Sequence, residues 1–183
     1  MVYDKDIVGK FVTLRSITEE DAEFSYEIRS REGIRETVGQ LAESIDAQRE
    51  YIQKQRKTPG DYYFVIINRF DEKVGLIGVY DIHDGIGEIG RLVSVGDPTE
   101  TFEADILLSD FIREELKLKK ICYVIYSENK KHISDKRKLG VEYSKIVNRG
   151  GKEALYFEEV VDYENYENNK IRKMINKLAE RLV

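Results

Sequence analysis

The chain has 183 residues, enough for one domain with a substantial core and short of what two independent cores usually need. Its 35 acidic residues outnumber 30 basic ones, for a formal charge of −5, so no global excess of positive charge draws it onto nucleic acid or an anionic membrane surface. One cysteine, Cys122, excludes an intrachain disulfide framework, two histidines (His83 and His132) make a poor metal site, and no apolar run approaches a membrane span.

In chain order, Phe11 to Arg15 reads as a short strand, and Thr18-Glu19-Glu20-Asp21 is a capping-box start for a helix reaching about Ser30. Ser44 caps a second helix through about Lys57, stopped by Thr58-Pro59-Gly60. Strands follow at Tyr62 to Asn68 and from Val74 to Asp81. Asp84-Gly85 is a hairpin signal, so the next run, Glu88 to Val95, returns antiparallel. Beyond Gly96-Asp97-Pro98, the residues Ala104, Leu107, Leu108, Phe111, Ile112 and Leu116 repeat at helical spacing and require one buried face.

Ile121 to Tyr126 is apolar or aromatic at both parities, as a central parallel strand covered on both faces must be. A basic segment, Lys130 to Lys138, reads as a helix capped by Asn129 and ended by Gly140. Val141 to Val147 and Glu153 to Val161 form a hairpin around Asn148-Arg149-Gly150-Gly151. The tail from Asn168 to Val183 places Ile171, Met174, Ile175, Leu178 and Leu182 on one stripe, which either closes over the sheet or meets a second copy. The pattern predicts a single domain over 1–183 of α/β (α+β) class: a mixed central sheet of about seven strands, helices on both faces and a parallel βαβ crossover.

Three motifs compete for a functional reading. Gly85-Ile86-Gly87-Glu88-Ile89-Gly90 matches G-x-G-x-x-G, but a strand rather than a helix follows it, so a dinucleotide site lacks its context. The helix beginning near Thr101 offers N–H groups and a positive dipole end at the mouth of the crossover, yet Glu100, Glu103 and Asp105 crowd it with carboxylates. Lys130 and Lys131, directly after the parallel strand, are placed to reach the phosphates of a ligand lying across the strand ends.

The order and spacing of several segments resemble the GNAT superfamily of N-acetyltransferases, and more closely its RimJ/RimL-like branch. The segments are Val12-Thr13-Leu14-Arg15 with Thr18 to Ala22; Val74-Gly75-Leu76-Ile77-Gly78; Glu88-Ile89-Gly90-Arg91; Asn129-Lys130-Lys131; and Lys138-Leu139-Gly140-Val141. The resemblance spans nearly the whole chain. It implies acetyl-CoA as cosubstrate and an amine acceptor, with pantetheine along Leu92, Val93, Ser94 and Val95 and pyrophosphate near Thr101, Phe102, Glu103 and Ala104. Asn129, Lys130 and Lys131 complete the expected coenzyme contacts. The family's basic residue and glycines are missing from Thr101-Phe102-Glu103-Ala104-Asp105, and Lys136 stands where a tyrosine acid is usual.

Acetyl transfer needs a neutral amine, so Glu88, at the start of the strand that would carry pantetheine, is the candidate base, with His83 as the alternative. Tyr126, Tyr143 or Lys136 could protonate the leaving thiolate, and a backbone N–H near Val93 or Val95 is the oxyanion donor that the resemblance implies. Nucleotide-linked amino sugars are one acceptor class that it suggests; a protein N-terminus is another, which predicts an open groove between residues 31–41 and the Asn148 to Lys152 turn. A non-catalytic domain binding a CoA ester is the third reading. The expected setting is cytoplasmic, as monomer or homodimer, without metal, nucleic acid or membrane partners.

Overall fold

The computed structural model describes residues 1–138 and 141–182. Eight strands form one sheet in the order β1-β2-β3-β4-β5-β6-β8-β7. They are β1 (Ile7–Val8), β2 (Val12–Ser16), β3 (Tyr62–Asn68), β4 (Lys73–His83), β5 (Ile86–Ser94), β6 (Lys120–Tyr126), β7 (Tyr143–Arg149) and β8 (Lys152–Val160). Neighbours are antiparallel except β5 and β6, which run parallel through a crossover helix. The two-residue β1, hydrogen-bonded to β2, is the strand beyond the expected seven; its shortness hides it from pattern reading.

Helices α1 (Ala22–Ser30) and α2 (Ile45–Lys57) cover one face, and α3 (Pro98–Glu114), α4 (Lys130–Lys138) and α5 (Lys170–Ala179) lie on the other side. Alternation along β3 divides the core: Tyr63 and Val65 pack with Ala22, Ile28 and Ile52, while Phe64 and Ile66 pack with Leu108, Phe111 and Ile112. Several caps form as expected. Ser44 Oγ accepts from the Ala47 N–H, and Asn129 Oδ1 accepts from the His132 N–H. The Gly140 stop falls outside the described residues, as does the side chain of Leu182. On α5, Ile175 is buried against the domain, whereas Met174 stays 40% exposed, so the stripe is only partly covered.

Asp84 and Gly85 have φ of 50° and 78°, the left-handed pair of a tight hairpin, and β5 then continues as a strand through the glycine motif. Two features of β5 create the opening. Its pairing with β4 skips from Gly78↔Gly90 to Leu76↔Val93, a bulge where Arg91 adopts φ 56°. Its parallel pairing with β6 ends at Glu88↔Cys122, after which the two strands diverge.

Candidate functional site

Beyond Glu88 and Cys122, the facing edges of β5 and β6 have no strand partner, and a cavity of about 580 Å³ opens between them. Leu92 and Val93 line it from β5, and Val124 and Tyr126 from β6. Residues Thr37 to Glu43, in the connection between α1 and α2, form one wall; Asn129 and His132 reach it from α4, and Arg149 from β7. This is where a groove between residues 31–41 and the last hairpin was expected. Glu43 is the only carboxylate among the described lining residues, against Arg29, Arg91 and Arg149.

Glu88 sits directly opposite Tyr80 in the β4–β5 ladder, so both side chains project from the same face. The Tyr80 hydroxyl donates to Glu88 Oε1 at 2.6 Å, and Arg149 Nη1 donates to the same oxygen. Burial, then the charge of Glu88, raises the Tyr80 pKa well above the ordinary phenol value, so this hydroxyl keeps its proton. Burial opposes the Arg149 charge, but the bond to Glu88 and the charges of Tyr80, Glu88 and Tyr126 together outweigh it and raise the pKa. Glu88 is itself only 8% exposed and is not among the described residues lining the cavity, whereas Tyr80 and Arg149, which hold it, are.

A second pair lies deeper. Arg91 Nη1 and Nη2 donate to Asp61 Oδ1 and Oδ2 at 2.5 and 2.8 Å, the bidentate geometry of guanidinium and carboxylate. The guanidinium lies 4.2 Å from the centre of the Tyr80 ring and 5.0 Å from that of Tyr63. Gly90 makes this stacking possible, since a Cβ there would stand 2.4 Å from the Tyr80 hydroxyl oxygen. Cys122, next to the site, has its thiol pKa pushed up by burial and is no activated nucleophile.

The start of α3 differs from an open anion site. Asp97 Oδ1 accepts from the N–H groups of Thr99 and Glu100, and Glu100 Oε2 accepts from the Asp97 N–H. This capping box fills with the chain's own carboxylates the positions a pyrophosphate would use. Thr101 pairs with Ser94 through their hydroxyls at 2.8 Å. Glu103 turns away altogether: its carboxylate accepts from the N–H groups of Lys10, Phe11 and Val12 and ties α3 to β2. Ala104 is wholly buried in the core, and Phe102 is 39% exposed. The fold thus commits the side chains of Glu103 and Ala104 elsewhere. The α4 start is the opposite case, with Lys130 and Lys131 exposed.

Tyr126 lines the cavity, whereas His83 stands exposed at the β4–β5 hairpin and Tyr143, on the outer strand β7, packs edge-on to Phe157. Neither His83 nor Tyr143 joins the cavity wall. Lys136 is buried, its ammonium 3.2 Å from the centre of the Tyr123 ring and 3.5 Å from Glu159, beneath the sheet face covered by α3. Sequence reading did not single out Tyr80, Arg91, Arg149 or Asp61. The one available signal for Arg149 was its place in a glycine turn facing the predicted groove.

Among the described residues, no cluster of side chains could hold a metal ion, and no helix is long and apolar enough to cross a membrane. The unpaired edges of β5 and β6 fit an extended, amide-bearing ligand, which can add to each edge as a strand does; the capped start of α3 does not fit a pyrophosphate.

A family model described as an acetyltransferase (GNAT) domain matches residues 12–142. Solved structures with the same fold include a GCN5-related N-acetyltransferase from Brucella melitensis, at 14% identity and a TM-score of 0.75, covering 97% of this chain and 86% of that one. FdhC, described as a nucleotide-linked sugar GNAT, matches at 19% identity and a TM-score of 0.73, over 94% of this chain and 98% of its own. A chimera of spermidine N-acetyltransferase SpeG from Vibrio cholerae with hSSAT matches at 18% and 0.71, over 86% and 99%. No curated protein sequence matches the chain.

Proposed function

Because the chain belongs to the GNAT acetyltransferase domain family, whose members use acetyl-CoA, we propose that this cavity acetylates the primary amine of a small anionic molecule, a nucleotide-linked amino sugar being the class favoured. The observation that carries the reading is the cavity itself: two unpaired strand edges meeting at a buried Glu88, under a wall with three arginines and one carboxylate. A polyamine would need the reverse charge. The fold likeness to FdhC agrees with the amino-sugar class, without deciding it.

Acetyl-CoA supplies a thioester carbon and a thiolate leaving group. The residues of this chain do the rest. The edges of β5 and β6 hold the pantetheine arm, and a β5 backbone N–H near Val93 donates to the oxygen that gains charge. Both contacts to Glu88 fall on Oε1, leaving Oε2 to take the proton from the incoming ammonium, directly or through one water. The freed nitrogen then forms its bond to the acetyl carbon as the carbon–sulfur bond breaks. Two protons leave the nitrogen in all: one to Glu88 before attack, and one after the bond to carbon forms, to Tyr126, which lines the cavity and has given its own proton to the departing thiolate. Tyr80 holds Glu88 in place and keeps its own proton.

Coenzyme phosphates are assigned to Lys130 and Lys131, since the α3 start is already capped. A protein N-terminus is the second reading, favoured by the wall at Thr37 to Glu43, which leaves room for a peptide and would agree with a RimJ/RimL-like assignment. The test is acetyl transfer from acetyl-CoA to a panel of amino-sugar nucleotides, polyamines and N-terminal peptides. The expected result is turnover of the amino-sugar nucleotides; turnover of peptides alone would replace the first reading with the second.

A further inference from the structure

We propose that Arg149 is a latch on Glu88 operated by the acceptor itself, so that efficient turnover requires an amine carrying an anionic group close to its nitrogen. The inference rests on the acetyl-transfer reading of this cavity and names what its acceptor must bring.

The latch is visible in how the pair is assembled. Glu88 is on β5 and Arg149 on β7, separated in the sheet by β6 and β8, so the side chain reaches back over the cavity to make the contact. Arg149 ends a strand at a turn made by Gly150 and Gly151, with φ of 59° and 82°, and open space surrounds both glycines. Nothing in the core is tied to that tip through them. The Arg149 side chain is 36% exposed, against 10% for Glu88, so a ligand anion entering the cavity meets the guanidinium before the carboxylate.

An ammonium without an anion that comes to Oε2 of Glu88 meets the guanidinium held on Oε1 as a like charge, and can relieve that repulsion only by separating the ion pair and leaving Arg149 with no counter-charge. An amine with a phosphate or carboxylate exchanges pairs instead: the anion takes Arg149 and the ammonium takes its place on Glu88. The number of charge pairs is conserved. Tyr80 remains bonded to Glu88 throughout and keeps the carboxylate aimed. Arg91 cannot serve in this way, because both of its terminal nitrogens are engaged by Asp61 and its guanidinium lies over the rings of Tyr80 and Tyr63.

The test compares O-phosphoethanolamine with ethanolamine as acceptors. In the unmodified enzyme kcat/KM should favour the phosphate-bearing amine by about tenfold or more, the scale of one charge-assisted contact. Arg149→Gln should bring the two within about twofold of each other, by lowering the first and raising the second, while Arg149→Lys keeps the preference. An equal fall for both amines would reduce Arg149 to a packing role and overturn the proposal. A second measurement needs no turnover: the ¹³C signal of the Glu88 carboxylate, assigned with Glu88→Gln, should move on adding O-phosphoethanolamine, not on adding ethanolamine, and should not respond to the phosphate in Arg149→Gln. A signal that stays put while acetyl-CoA binding is intact overturns the latch. A signal that moves without acetyl transfer to any amine keeps the latch and removes the acetyl-transfer reading.

Discussion

Two arginine–carboxylate pairs border one cavity through their arginines, and their chemistry is the same while their settings differ. Arg91 and Asp61 come from β5 and the residue preceding β3, with side chains 16% and 13% exposed, and the guanidinium is stacked on Tyr80 and Tyr63. Arg149 and Glu88 come from distant strands, and the arginine is more than twice as exposed as Arg91. The first pair is held by two parallel hydrogen bonds and by tyrosine rings against the guanidinium; the second is held by one contact across an opening. Burial of both partners makes a pair structural, whereas exposure of one partner makes it addressable by a ligand.

The largest expected effect is on catalysis. Glu88→Gln should bind acetyl-CoA as before yet lower kcat by about 10²- to 10⁴-fold, the usual loss of a general base, as read in steady-state assays with saturating amine. Full turnover by the variant would make the second pair as purely structural as the first. The reverse applies to Asp61→Asn, which leaves a buried guanidinium without its counter-charge. It should lower the unfolding free energy by about 3–5 kcal/mol in urea titrations. Glu88→Gln should cost no more than about 1 kcal/mol in the same titration, because the Arg149 guanidinium it leaves unpaired is partly hydrated already. Equal losses for the two would erase the distinction.

A third carboxylate extends the comparison outside the cavity. Asp21 is 1% exposed and accepts from Arg15 at 2.9 and 3.0 Å, with Lys73 at 2.6 Å. Burial alone would raise its pKa; the bonds from Arg15, Lys73 and the Thr18 N–H more than offset this and lower it from 3.8 to about 2. A lowered carboxylate pKa contributes stability that is complete above the unfolded value and lost as pH falls through the folded one. Asp21 should therefore contribute about 2 kcal/mol at neutral pH, disappearing between about pH 4 and 2. Thermal unfolding of Asp21→Asn across that window should show a flatter acid limb than the unmodified chain; parallel limbs would exclude this network as its source.

The smallest effect contrasts the two helix starts. Replacing Lys130 and Lys131 together by alanine should weaken acetyl-CoA binding by about tenfold and reduce its salt dependence, whereas replacing Thr101 should change it little. Titration calorimetry at two ionic strengths decides between them. An unchanged affinity in the lysine variant would leave that run as a solvated helix face.

Periodicity and turn chemistry determined most of the architecture from sequence. Alternation along Tyr62 to Asn68, the Asp84-Gly85 turn and the helical spacing from Ala104 to Leu116 are local signals, and each is set by residues close in the chain. The position of Glu88 was legible for the same reason, since it follows from a hairpin register and the strand after it. The tertiary structure decided what surrounds it. Arg149 is 61 residues away from Glu88 and Asp61 is 30 away from Arg91, and no local pattern encodes which cation will face which carboxylate. The same holds for Glu103, which stands in a run resembling a ligand loop but turns to cap backbone 91 to 93 residues upstream. Side-chain direction at a helix start depends on what packs beside it, and only the assembled sheet supplies that neighbour.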